Sequence, residues 1–337
     1  MILIVGALSP PNGGATISLA EYEEFLKNDS RFVFFDAAQL KPIKMYKYVE
    51  LIVMIARSSI ASFHVSDQAA VYKLPFLYLI ARLFNTKVIY RQFGGGFSNT
   101  YQALGCIRRW VVNKTILRSN YIYFQSKYLV NFFSTKCSND VTIRWLPTSR
   151  INRFTNLECW EKKDPTNIIF LGSVTKEKGV YELIEAVQHV DDYFLNIYGP
   201  CDDKLLISRL KNSVRCEYHG ELTRAGVTET LKQRSIFALP SYHPGEGYSG
   251  AVIEATFSGL PLILSRWNAF PEMFSEEEVM FVSPKSVESI VKRLVALREH
   301  PNLLSVYSEK SFIASERFKL KNTIKQFIED HLICAEY

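Results

Sequence analysis

The chain has 337 residues, 47% of them hydrophobic and 22% charged, with a formal net charge of +6. That length is long for one core and favours two domains of roughly 150 residues each, and the composition is that of a soluble globular protein. Six cysteines, at 106, 137, 159, 201, 216 and 334, include no C-x-x-C pair, which argues against a zinc site or a disulfide framework and for a reducing cytoplasm.

The opening MILIVGALS has no basic n-region and runs straight into Pro10-Pro11-Asn12-Gly13-Gly14, so it reads as a first buried strand and not a signal peptide. The apolar runs 51–56 and 74–84 are too short or interrupted to span a bilayer. Strand-like runs at 2–5, 32–35, 61–65, 87–91, 121–125 and 141–146 alternate with helical stretches at 16–27, 69–84 and 107–117. The rhythm lapses over 148–164, which reads as a linker. It restarts with strands at 167–171, 194–198, 214–218, 236–239, 262–264 and 279–282, and helices at 180–190, 203–211, 223–233 and 250–258, before a helical C-terminal stretch from 287. This βαβα order predicts an α/β protein of two Rossmann-like, doubly wound domains with a cleft between them. The predicted domains are 1–150 and 151–318, with a helix over about 319–337 expected to pack back on the first.

Charge divides unevenly. Residues 1–158 hold 19 Lys and Arg against 9 Asp and Glu, whereas the remainder holds 21 against 25. The basic half is expected to meet something anionic, a membrane surface or a phosphate-bearing substrate; no nucleic-acid-binding motif is present. Neither half has a full G-x-G-x-x-G fingerprint with a downstream acid, which disfavours a dinucleotide oxidoreductase, and no Asp-x-Asp occurs.

Four loops after predicted strands carry candidate chemistry, where open parallel sheets bind ligands. Asn12-Gly13-Gly14 would let backbone approach a ligand ahead of a helix, or simply form a tight turn. Gly172–Gly179, reading GSVTKEKG, places Lys178 just before a helix, where its ammonium could meet a phosphate or only solvent. Arg91-Gln92-Phe93 followed by three glycines suits a loop gripping an acceptor, or an irregular turn, with His64 at a neighbouring strand end. The fourth is Leu239–Pro261, with Glu246 in a glycine loop and Glu254 in an apolar helix. A carboxylate in such surroundings needs a partner or a polar ligand, because burial of an unpaired charge is very costly. The amides of Gly247, Tyr248 and Ser249 are candidates for phosphate oxygens; a cap carboxylate and an ordinary helix-face glutamate are the plainer account.

Glu246-Gly247-Tyr248-Ser249 through Glu254-Ala255, followed by Gly259-Leu260-Pro261, resembles the E-x7-E signature of retaining glycosyltransferases of family 4, the group 1 glycosyl transferases. Gly172–Gly179 resembles that family's G-R-L-x-x-x-K-G segment, Gly13-Gly14 its N-terminal glycine loop, and Tyr198-Gly199-Pro200, Tyr218-His219-Gly220 and Leu239-Pro240-Ser241 fall in the expected order between. The resemblance implies a GT-B fold. It implies that Glu246 contacts the donor sugar and Glu254 the ribose hydroxyls, with Lys178 and the amides after Glu246 holding the diphosphate. It also implies that no metal or other cofactor is needed. Ser173 stands where the family has an arginine, for which Arg266 or an arginine of the first domain is a candidate substitute, and His64, Arg91 and Gln92 are the acceptor-side candidates.

The expected activity is transfer of a sugar from a UDP- or GDP-linked donor to a saccharide or polyprenyl-diphosphate-linked acceptor in cell-surface polysaccharide synthesis. The expected place is the cytoplasm, peripherally at the inner face of the membrane. There Arg108, Arg109, Lys114 and Arg118, interleaved with Ile107, Trp110, Val111 and Leu117, either lie against anionic lipid or form a solvated outer helix. A sugar-nucleotide epimerase on the same fold and a non-catalytic partner subunit are the competing readings.

Overall fold

A computed structural model describes residues 1–10, 13–154, 165–233 and 235–336. Asn12 and most of the expected linker lie outside them. The chain forms two compact units, Met1–Ile151 with Leu320–Tyr337, and Asn152–Lys319.

The first unit holds strands β1 (Ile2–Gly6), β2 (Phe32–Asp36), β3 (Ile60–Ser66), β4 (Lys87–Phe93), β5 (Tyr121–Phe124) and β6 (Thr142–Trp145). They form one parallel sheet in the order β2-β1-β3-β4-β5-β6. Between them run α1 (Gly14–Leu26), α2 (Met45–Ala56), α3 (Asp67–Tyr72), α4 (Leu74–Leu83), α5 (Phe97–Gln102), α6 (Cys106–Lys114) and α7 (Lys127–Ser134). The single helix expected over 69–84 is divided at Lys73. Pro75 opens α4, and a proline there lacks the N–H and crowds the preceding turn, so α3 cannot run on through it. The stretch 107–117 likewise gives α6 only as far as Lys114, followed by a 3-10 turn at Ile116–Arg118.

The second unit repeats the plan. Its strands are β7 (Asn167–Leu171), β8 (Phe194–Tyr198), β9 (Cys216–Gly220), β10 (Ile236–Leu239), β11 (Leu262–Ser265) and β12 (Met280–Val282), all parallel in the order β12-β11-β10-β7-β8-β9. The helices are α8 (Val180–Gln188), α9 (Lys204–Leu210), α10 (Arg224–Gln233), α11 (Gly250–Phe257), α12 (Phe270–Met273), α13 (Val287–Glu299) and α14 (Asn302–Ser315). The run expected as a strand at 214–218 pairs two residues later, because Cys216 is buried and Val214 is exposed. The final helix, α15 (Leu320–Glu336), returns to the first unit. Among the described residues, no helix is long and apolar enough to cross a membrane.

Alternation along the strands of the first unit sends side chains to two separate cores. Leu3, Val5, Phe63, Tyr90 and Phe124 meet the helices of one face. Ile4, Tyr22, Ile89, Tyr123 and Phe327 meet on the other, beneath α1 and α15.

Two histidines sit within that second core. The His331 Nδ1–H donates to the Phe327 carbonyl at 2.7 Å, so its Nε2 accepts from Ser62 Oγ at 2.9 Å; Ser62 in turn contacts His64 Nε2 at 3.2 Å. Burial drives His331 down to about 3, and burial with the Arg91 charge drives His64 well below the ordinary histidine range. Both rings are therefore neutral when folded and take up protons on unfolding below about pH 6.5. Their contribution to stability is complete above that value and is lost as pH falls from about 6.5 towards 3. Thermal melts at pH 7.5 and pH 5 should show the lower pH melting earlier, and His331→Phe should shrink the difference. An unchanged gap in that variant would assign the loss to other groups.

Candidate functional site

Strand order fixes where a site can form. In the second unit β7 lies between β8 and β10, so successive connections leave it in opposite directions and a crevice opens at the strand ends. The two loops that flank this switch point are those after β7 and β10. They contain Ser173 and Lys178, and Ser241 to Ser249, respectively.

The loops are locked together through backbone. Tyr242 N–H donates to the Glu177 carbonyl at 2.7 Å. Gly179, at φ 73°, presses so closely on the β10 loop that a Cβ would lie 2.2 Å from the Pro240 carbonyl oxygen. Only glycine meets both demands. Gly179→Ala should therefore lower stability by about 1–3 kcal/mol and push the two loops apart. Urea unfolding measures the first effect. Amide hydrogen exchange should show the second as faster exchange at Tyr242, whose N–H bridges the loops. An alanine variant of native stability would mean that the loops are not held together as described. Gly199, at φ 131°, plays the same part on the other side, where a Cβ would fall 2.0 Å from the Gly172 carbonyl oxygen.

Within this frame, Glu246 is buried and Lys178 half-buried, and the Lys178 ammonium donates to both carboxylate oxygens at 3.0 and 2.8 Å. Ser241 Oγ also donates to Glu246. A carboxylate that accepts from an ammonium and a hydroxyl can remain ionised out of water. The loop is further braced by Trp267 Nε1, which donates to the His243 carbonyl at 2.9 Å, and by Ser265 Oγ, which donates to the Ser241 carbonyl.

The loop then enters α11. Ser249 is the N-cap residue but makes no side-chain cap hydrogen bond, and the first-turn amides of a helix have no intrahelical acceptor. Those amides and the helix dipole make this end attractive to an anion. Glu254 lies in the interior of α11, partly exposed, with its Oε1 3.8 Å from Arg224 Nη1 of α10. Sequence reasoning missed both Arg224 and Ser241. Arg224 stands in no motif, Ser241 enters only as part of Leu239-Pro240-Ser241 with no role, and the fold brings both to these glutamates. Ser173 is exposed and Tyr248 buried, the latter with its ring 6.4 Å from that of Phe318. Arg266 is engaged elsewhere, paired with Glu276 and 4.8 Å over the Phe281 ring.

The first unit has its own switch point between β1 and β3, where Gly6 pairs with His64. A Cβ on Gly6 would lie 2.5 Å from Leu19 Cδ2, so glycine lets α1 sit close over the strand end. Gly13 N–H donates to Thr16 Oγ1 at 3.0 Å, and Thr16 Oγ1 donates back to the Gly13 carbonyl, fixing the start of α1. The Gly14 carbonyl accepts from Arg150 Nη2 at 2.9 Å.

The three acceptor-side candidates are all buried. Arg91 is fully enclosed, its guanidinium 4.5 Å from the Tyr22 ring centroid and 4.8 Å from that of Phe93, and none of the three guanidinium nitrogens has a hydrogen-bond partner among the described residues. Ring faces take the place of water around it. Gln92 faces the opposite core, where it accepts from Tyr90 and donates to Asp67 and to the Phe93 carbonyl. The side chains of His64 and Arg91 would reach a ligand only if α1 or α15 moved.

The family model of glycosyl transferases group 1 matches residues 156–312. The chain is 25% identical over 127 residues to the teichuronic acid biosynthesis glycosyltransferase TuaC of Bacillus subtilis, a match covering 37% of this chain and 31% of that one. It is 26% identical over 158 residues to the phosphatidyl-myo-inositol mannosyltransferase of Mycobacterium leprae, covering 45% and 42%. The chain thus spans less than half the length of either curated relative. Its fold superposes on HepE of Anabaena, solved with UDP, at a TM-score of 0.75 and 14% identity over 98% of both chains.

Proposed function

Since residues 156–312 are those of a group 1 glycosyl transferase, carried on a GT-B fold, we propose that this chain transfers a sugar from a nucleotide diphosphate to an acceptor in cell-surface glycan synthesis, with retention at the anomeric carbon. The observation that carries the reading is the buried Glu246 held by Lys178 between the two switch-point loops, with Glu254 in the helix that follows.

In this reading the second unit takes the donor. The diphosphate lies against the amides at the start of α11 and shares the Lys178 ammonium with Glu246, Glu246 turns to the sugar hydroxyls, and Glu254 accepts from the ribose. Charge building on the leaving diphosphate is met by fixed donors, the usual main source of electrostatic catalysis. The leaving phosphate takes the proton of the acceptor hydroxyl as the new bond forms on the same face, so no carboxylate nucleophile is used. The first unit takes the saccharide or polyprenyl-diphosphate-linked acceptor, and transfer survives EDTA.

Proteins related to this one in sequence or fold carry names for teichuronic acid synthesis and for a mannosyltransferase, and one was solved with UDP, which supports a nucleotide-sugar donor and a cell-envelope acceptor. A thermal-shift screen across UDP- and GDP-sugars tests it, because a ligand that binds only the folded state raises the melting temperature. One nucleotide sugar should raise it by several degrees, and Glu254→Gln should weaken that donor about 10-fold or more, as loss of a charge-assisted hydrogen bond does. A screen with no shift for any nucleotide sugar would sink the proposal. Conversion of the donor in the absence of acceptor would make the protein an epimerase.

A further inference from the structure

Four neighbouring helices of the first unit expose apolar side chains that a solvated layer does not need. Along α4 they are Phe76, Leu79 and Leu83, spaced by three and four residues, so they form one stripe down the outer face, and Tyr72 is exposed at the end of α3 just before it. Helix α2 adds Tyr46, Val49 and Val53 at the same spacing. Helix α6 adds Ile107 and Trp110. Helix α2 packs on α4, and Arg108 of α6 reaches Tyr72 with a 3.1 Å hydrogen bond, so the stripes belong to one surface. Leu83 is 80% exposed and Ile107 76%; contiguous exposure of this kind marks an interaction surface.

Beside the stripes lies a hollow of about 460 Å³ lined by Tyr78, Arg82, Lys114, Arg118, Asn120 and Asp140. Three cations face one carboxylate there, and the Tyr78 hydroxyl is anchored on the Arg118 carbonyl at 3.3 Å. Such a hollow suits a phosphate monoanion. Lys41, Lys44 and Lys73 border the apolar stripes at the starts of α2 and α4.

We propose that α2, α4 and α6 form a docking face for an anionic lipid bilayer, with the stripes entering the headgroup boundary and the Arg82–Lys114–Arg118 hollow taking a lipid phosphate. The proposal rests on the reading of the protein as an enzyme of envelope glycan synthesis and gives that enzyme its membrane contact. An apolar strip bordered by lysine and arginine, with tyrosine and tryptophan among the apolar groups, has the chemistry of an interfacial helix. A second copy of the chain is a poorer occupant, because a symmetric contact would set this basic hollow against its own image.

Flotation of the full chain with vesicles provides the test. The protein should rise with vesicles of phosphatidylglycerol and phosphatidylcholine and stay below with phosphatidylcholine alone. Arg82→Glu with Lys114→Glu should abolish the rise, and Phe76→Ser with Leu79→Ser and Leu83→Ser should cut it at least about 10-fold. Leu83→Glu alone, at the most exposed position of the stripe, should give a clear loss while melting at the native temperature, which covers the case of a poorly folded triple variant. Native protein that fails to rise, or variants that rise equally well, would overturn the docking face. So would a dimer of the native chain in size exclusion that Leu83→Glu dissolves, since the face would then belong to a second copy. Nucleotide-sugar binding is measured on the same samples. A chain that floats but binds no nucleotide sugar leaves the face standing and removes the transferase reading, and one that binds but does not float does the reverse.

Discussion

Lys178→Ala is expected to cost the second unit roughly 3 kcal/mol and to lower kcat/KM for transfer by at least about 100-fold. Two causes combine. Glu246 stays buried after the ammonium has gone, with Ser241 as its remaining donor, and removal of one partner of a buried pair is far worse than removal of both. In the proposed donor site, the diphosphate also loses the cation that would meet it. These causes separate in the double variant Lys178→Met with Glu246→Gln, which keeps the volume of both side chains and discards both charges. Its urea midpoint should return most of the way to that of the native protein, whereas transfer should stay as low as in the single variant. Recovery of both stability and rate would place the pair outside the donor site and reduce it to a loop clamp.

Phe327→Ala should be the most damaging single change in the first unit, at about 3–5 kcal/mol. The ring is fully buried and stands 5.0 Å from the Tyr22 centroid, 5.8 Å from His64 and 4.0 Å from His331, so it joins α15 to α1 and to the sheet. Its loss leaves a cavity against the Tyr22 ring, whose face covers the Arg91 guanidinium, and loosens the packing that keeps water from that charge. Denaturant unfolding followed by near-ultraviolet circular dichroism measures the effect. A cost below about 1 kcal/mol would mean that α15 contributes little to that core.

Much of the fold was legible because its pattern is local. Alternating β-rich and amphipathic runs report a doubly wound sheet directly, and β10 begins and ends where its apolar run does. Helices α2 and α7 escaped notice for opposite reasons. The first exposes apolar residues on its outer face and so lacks a polar stripe, and the second is only eight residues long. The division of α3 from α4 depended on one proline inside an apolar run. At the candidate site, glycines and glutamates announced the loops, but the contact between Lys178 and Glu246 joins residues 68 apart in sequence and depends on β7 lying beside β10. No spacing rule carries strand order. Likewise His64 is covered by α15, whose Phe327 and His331 lie more than two hundred residues downstream, and Arg91 by Tyr22 of α1.

The return of α15 also orders events during synthesis. The chain leaves the first unit at Ile151 and re-enters it at Leu320, so the first sheet is made long before the helix that covers one of its faces. At about 5–20 residues per second, ribosomes take roughly 10–40 s to make the intervening stretch and α15. Throughout that interval Ile4, Tyr22 and Tyr123 are left without their cover, while the second unit can close on its own. Nascent chains halted before Leu320 should therefore be the form that chaperones hold and proteases cut within residues 1–151, and release of α15 should end that vulnerability in a single step.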